Sequence, residues 1–149
     1  MRLLIQRVKT ASVTVDTMIV GQIEKGLLVF LGVGEKDSES DIGKLTEKLI
    51  KMRLFEDEAG KMNLDVNQIN GSILVVSQFT LFADTRKGNR PSFIEAARPE
   101  LAERLYRQFI EKLRTHLGTE RVAEGQFGAM MDVELINDGP VTIWVDNCF

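Results

Sequence analysis

Apolar and polar positions alternate along this chain with two periods, and the switches between them mark its elements. Residues 2–9 read as a first strand, and residues 12–15 and 18–23 as a hairpin turning at Asp16-Thr17. Lys25-Gly26 breaks the pattern. Leu27 to Val33 is then a continuous apolar run, as expected of a central strand covered on both faces. Ser38-Glu39-Ser40-Asp41 offers N-cap chemistry for a helix over 39–52, with Ile42, Leu45, Leu49 and Met52 at helical spacing. Residues 55–64 read as a hairpin around the polar tip Asp57 to Lys61, an acidic cluster without the spacing of a calcium loop. Ser92-Phe93-Ile94-Glu95 has capping-box form, and Pro99 suits a first helical turn. Leu101, Leu105, Phe109 and Leu113 form a core stripe, which Gly118 ends. Residues 121–124, 130–136 and 141–145 complete the strands. This order predicts a single mixed domain, α/β or α+β, over residues 1–149.

The stretch that departs from plain core patterning is Val75 to Asp84. Read as a strand, it places Gln78, Thr80 and Phe82 on one face and Ser77, Phe79 and Leu81 on the other. An amide and a hydroxyl two residues apart then point into one small volume. Buried without partners they would cost a few kcal/mol, so they bond either to neighbouring loops or to a ligand. A second segment, Asn137-Asp138-Gly139-Pro140-Val141-Thr142, reads as a turn between two strands.

Composition narrows the function. At 149 residues one domain can bury roughly two-thirds of its unfolded surface. No apolar run approaches the ~18 residues of a membrane span, and the N-terminus lacks signal-peptide zones, so a cytoplasmic location is expected. The net charge of −3 argues against a bulk nucleic-acid binder and against DNA as a partner. A local cluster, Arg86, Lys87 and Arg90, with Arg98 beyond it, could still hold a few phosphates of an RNA end. Cys148, the only cysteine, excludes an intrachain disulfide and a cysteine metal cluster, and reads as an incidental thiol. Gly32 and Gly34 lack the Lys and Ser/Thr of a phosphate loop and read as a strand end. His116, the only histidine, sits in a last helical turn with no orienting partner. No spacing implies a metal or an organic cofactor.

Taken together, Ser77-Gln78-Phe79-Thr80 and Asn137-Asp138-Gly139-Pro140-Val141-Thr142 closely resemble the two signature motifs of the D-aminoacyl-tRNA deacylases. Met1 to Val8, Gly26 to Val33 and Asn89-Arg90-Pro91-Ser92-Phe93 match as well, so the resemblance spans essentially the whole chain. It implies a barrel-like β structure flanked by helices and assembled as a homodimer. The implied reaction is hydrolysis of the ester at the 3′ end of D-aminoacyl-tRNA, with glycyl-tRNA as a further substrate. The implied catalytic residues are Ser77, Gln78, Phe79 and Thr80. Gly139 and Pro140, in a cis bond and inserted into the partner's site, are implied to exclude L-aminoacyl groups, with Arg7 fixing their orientation.

From the residues alone, Gln78, Thr80 and backbone N–H groups near Phe79 are candidate oxyanion donors. A covalent Ser77 or Thr80 lacks an evident base, which favours attack by water or assistance from the vicinal ribose hydroxyl. Asp84 is a conceivable base or a mere loop cap. Two alternatives stay open: a small-substrate amidase or esterase using Thr80 as nucleophile, and a non-enzymatic RNA-binding β-barrel.

Overall fold

The computed structural model describes residues 1–147; Cys148 lies outside the described residues. Its frame is a long bent strand, β1 (Arg2–Val15), which uses both edges. The first half of β1 pairs antiparallel with β3 (Gly26–Gly32). The second half turns through Asp16-Thr17 into β2 (Met18–Ile23), so the expected separate strands at 2–9 and 12–15 are one. Asp16 and Thr17 both have positive φ, 47° and 68°, the geometry that a two-residue hairpin turn requires. β6 (Ser72–Ser77) runs parallel to β3, and β7 (Val122–Glu124) runs parallel to β6. A small hairpin, β4 (Phe55–Glu56) and β5 (Met62–Leu64), stands apart with the expected polar tip.

The sheet nearly closes into a barrel, because β2 comes back against β7. At Gly21 a Cβ would lie only 2.3 Å from the Glu124 carbonyl oxygen, so only glycine allows this approach. Side-chain alternation then divides the core into two layers. Leu27, Val29 and Leu31 of β3 and Ile73 and Val75 of β6 face the helices. Leu28, Leu74 and Val76 face the barrel interior with Val8 and Val13. Burial on both faces is why these strands read as unbroken apolar runs. The helix α1 (Glu39–Lys51) covers the outer layer with Ile42, Leu45 and Leu49. The helix α2 (Pro99–Leu117) covers it with Leu105, Phe109 and Leu113 and ends at Gly118, whose φ is 92°. Among the described residues no helix is long and apolar enough to cross a membrane.

Three further expectations are corrected. The strand expected to run from Val75 to Asp84 stops at Ser77 and gives way to a 3-10 turn over Phe79–Phe82. The reason is the neighbour: β3 ends at Gly32, so after Gln78 N–H donates to Leu31 O at 2.8 Å the ladder has no more rungs. The capping box expected at Ser92 does not start a helix. Arg98 is extended (φ −62°, ψ 152°), as the residue before a proline prefers, and α2 begins at Pro99. Finally, Asn137 to Thr142 is not a turn between two strands. It lies inside one strand, β8 (Asp132–Asp146), antiparallel to β1. β8 advances from Asn137 to Thr142 while β1 moves only from Val8 to Gln6, so the segment bulges outward.

Candidate active site

The chemistry gathers where β6 runs out. Gln78 leaves the strand with φ −147° and ψ 82°, and the chain tightens into the 3-10 turn. Leu81 N–H donates to Gln78 O at 3.3 Å and Ala83 N–H to Thr80 O at 3.0 Å. The first N–H groups of any helical turn have no acceptor inside it, so those of Phe79 and Thr80 remain as donors. The Gln78 side-chain amide donates to the Thr80 hydroxyl. Phe79 is 57% exposed, because the turn swings it out of the sheet. Its ring meets Phe93 edge-on, with centroids 5.1 Å apart and planes at 71°.

Gln78, Phe79 and Phe93 border a cleft of about 660 Å³. Ser77, Gln78 and Phe79 form one side, Phe93 the lip, and Tyr106 and Phe127 the far wall. Thr80 does not line the cleft and reaches it only through the Gln78 amide. Among the described residues no Asp, Glu, His, Lys or Arg lines it. Its one ionisable wall group, the Tyr106 phenol, donates to Val75 O at 3.0 Å, and burial raises its pKa well above that of free tyrosine. Sequence patterning missed Phe93, Tyr106 and Phe127. They come from separate segments; the local signal was aromatic character and, for Phe93, the family-matching stretch that it ends.

The remaining sequence candidates lie elsewhere. His116 is exposed on the last turn of α2, its Nδ1 2.8 Å from Lys112 O. The Asp84 carboxylate accepts from Arg86 Nε and Nη2 at 2.8 and 2.7 Å. Those bonds hold its pKa far below the usual carboxylate range, so it is a poor proton acceptor. Lys87 and Arg90 are exposed on the loop that the Asp84–Ser92 bridge closes, next to Phe93.

Gly139 and Pro140 are exposed on the β8 bulge, outside the cleft lining, and their peptide bond is cis. Beneath them Arg7 is 5% exposed. Its Nη1 donates to Leu54 O at 2.6 Å and its Nε to Asp138 O at 3.2 Å, with the Asp138 carboxylate at 3.1 Å. Asn137 Nδ2 bridges Arg7 O and Val141 O at 3.0 and 3.1 Å, pinning both ends of the bulge.

Similarity to known proteins decides the family. The model of the D-Tyr-tRNA(Tyr) deacylase family matches residues 4–146. The chain belongs to that family. It is 54% identical to a D-aminoacyl-tRNA deacylase of Flavobacterium psychrophilum, over 99% of this chain and 97% of that protein. It is 55% identical to one of Dictyoglomus turgidum, over 98% of this chain and 92% of that protein. A solved structure described as the c-Myc DNA Unwinding Element Binding Protein superposes with a TM-score of 0.93 at 41% identity, covering 98% of each chain. A probable eukaryotic D-amino acid tRNA deacylase shares the fold, with a TM-score of 0.84 at 18% identity and 97% coverage of each chain.

Proposed function

We propose that this deacylase-family protein hydrolyses the ester of D-aminoacyl-tRNA, releasing the free D-amino acid and tRNA. The observation that carries this is the end of β6, where Gln78 and the Phe79 N–H present donors beside an uncharged, partly aromatic cleft, with the Thr80 N–H next along the turn. Ester hydrolysis needs the negative charge on the carbonyl oxygen stabilised as the tetrahedral intermediate forms. One prepositioned donor contributes about 3 kcal/mol to that step. With no ionisable group other than Tyr106 lining the cleft among the described residues, a protein base for Thr80 or Ser77 is not at hand. Water then attacks the ester carbon, alone or with the vicinal hydroxyl of the terminal ribose relaying its proton. The ribose oxygen leaves with a proton, and the protein acts by orientation and charge stabilisation. This favours positioning over the small-substrate esterase with a nucleophilic Thr80.

Chirality is read by exclusion. The Gly139-Pro140 bulge presents backbone carbonyls that suit an α-amino group, and an L side chain would meet it sterically. A D side chain points away and goes unread, and glycine, with none, escapes exclusion, so glycyl-tRNA is also a substrate. Because the bulge is exposed and does not line the cleft of its own chain, it acts on the site of a second copy in a homodimer. Arg7 holds the bulge from beneath. Lys87 and Arg90 contact phosphates of the tRNA 3′ end, whereas Arg86 is committed to Asp84.

The test is paired hydrolysis of D-tyrosyl-tRNA and L-tyrosyl-tRNA by the purified protein. Loss of the D ester with the L ester spared is the expected result. Hydrolysis of both would remove the exclusion role of Gly139-Pro140, and hydrolysis of neither would refute the deacylase assignment.

A further inference from the structure

The 3-10 turn that carries Phe79 and Thr80 ends on carbonyls that it cannot satisfy itself, and one of them is met from β1, at the same edge of the sheet. Arg2 Nη1 donates to Leu81 O at 2.9 Å. The guanidinium carbon lies 4.2 Å from the ring centroid of Phe82, the last residue of the turn, and 5.9 Å from that of Trp144 on β8. Arg2 Nε donates to Asp146 Oδ2 at 3.2 Å. The backbone of Arg2 is itself fixed, since it pairs with Gly32 on one side and Asp146 on the other. A surface cation on a strand would have none of these contacts with the turn. Only a planar guanidinium can stack on a ring while donating in its own plane to a carbonyl; an ammonium cannot do both.

We propose that Arg2 is a positioning residue for the deacylation chemistry: it clamps Leu81 and Phe82, and so fixes where the Phe79 and Thr80 N–H groups stand relative to the cleft. Arg2 does not line the cleft. It acts through the turn, a single short 3-10 segment tied at its ends by the Leu81-to-Gln78 and Ala83-to-Thr80 bonds. A turn so short tilts as a unit, and donors displaced by about 1 Å cost up to about a hundredfold in rate. The activity part of this inference rests on the proposed reaction; the clamp itself does not.

The test compares wild type with Arg2→Met, which keeps an apolar stem and loses the fork, and with Arg2→Lys, which keeps only the charge. Steady-state kinetics on D-tyrosyl-tRNA, amide exchange at Leu81 and Ala83, and emission of Trp144, the only tryptophan, are read together. In Arg2→Met, kcat is expected to fall about tenfold to a hundredfold with KM within about twofold. Exchange at Leu81 and Ala83 accelerates while Val29 and Val75 in the central strands stay protected, and Trp144 emission shifts. Arg2→Lys recovers little. Unchanged kcat and unchanged exchange in Arg2→Met would overturn the clamp. So would protection lost throughout the sheet, which marks a merely structural residue, and so would full recovery in Arg2→Lys. A wild-type protein that hydrolyses neither ester refutes the reaction instead, and the exchange measurements then decide the clamp alone.

Discussion

Replacing Arg7 by methionine tests the support of the β8 bulge most directly. Methionine keeps much of the buried stem and deletes the guanidinium. Three contacts go: Nη1 to Leu54 O at 2.6 Å, Nε to Asp138 O at 3.2 Å, and Nε to the Asp138 carboxylate at 3.1 Å. A hydrogen bond to a charged group is worth about 1.5–3 kcal/mol, and breaking a fully buried ion pair costs about 3–5 kcal/mol. Two features lower the total here. One N–H serves both acceptors on Asp138, and the Asp138 side chain is 33% exposed, so water re-solvates it. The loss should therefore lie near 2–3 kcal/mol, about half of it at Leu54 and half at the bulge. Some 1.4 kcal/mol at the bulge corresponds to about tenfold in any discrimination that depends on its rigidity. Urea unfolding measures the first quantity, and the ratio of D- to L-tyrosyl-tRNA hydrolysis measures the second. An Arg7→Met protein with unfolding free energy within about 0.5 kcal/mol of wild type and an unchanged ratio would refute the anchoring role.

Three further outcomes are expected. Gln78→Ala removes a side-chain donor and should lower kcat by about a hundredfold to a thousandfold, with melting temperature little changed, in single-turnover assays. Thr80→Ala loses only the acceptor of the Gln78 amide and should keep substantial turnover; abolished turnover in a folded protein would restore Thr80 as an obligatory nucleophile. Asp84→Asn should stay within about threefold of wild type at neutral pH. The sign follows from Arg86, which favours the charged form and pushes the Asp84 titration downward. Asp84 is therefore ionised from neutrality to well below the ordinary carboxylate range, and the rate between about pH 5 and 8 should contain no step that the substitution removes.

Much of the fold was legible because burial on both faces leaves a plain mark. Leu27 to Val33 read as a central strand and Val75-Val76 as buried strand, and the stripes of α1 and α2 fixed which faces they cover. The Ser77-to-Thr80 motif itself was misread in shape. Gln78 and Thr80 alternate with apolar neighbours as a strand would, yet the strand ends where β3 stops offering carbonyls. That is a fact about the neighbour, invisible in the local pattern. Asn137 to Thr142 carries turn residues, but β1 continues past it on the other side, so the ladder resumes and the turn becomes a bulge. Phe93, Tyr106 and Phe127 converge only in three dimensions. Buried Arg7 could be singled out only by resemblance, since a lone arginine on a strand ordinarily faces water.

The position of the cleft follows from strand direction. β3, β6 and β7 are parallel, and their carboxyl ends lie together: Leu31 and Val33 from the first and Ser77 and Gln78 from the second line the cleft, while the chain leaving β7 supplies Phe127. At such an edge each strand leaves its ladder and its next N–H groups lose their partners. In an ordinary loop those groups would turn to solvent. Here Gln78 N–H is still held by Leu31 O, and the 3-10 turn ties Leu81 back to Gln78, so only Phe79 and Thr80 lie between a fixed strand end and a fixed turn. Donors placed this way need little reorganisation when charge develops on a carbonyl oxygen. The same parallel edge in open α/β sheets commonly holds ligands, for the same reason. A protein that needs charge stabilisation more than a nucleophile can therefore build its site from backbone at the end of a strand, with the side chains of Gln78 and Phe79 left to orient what binds.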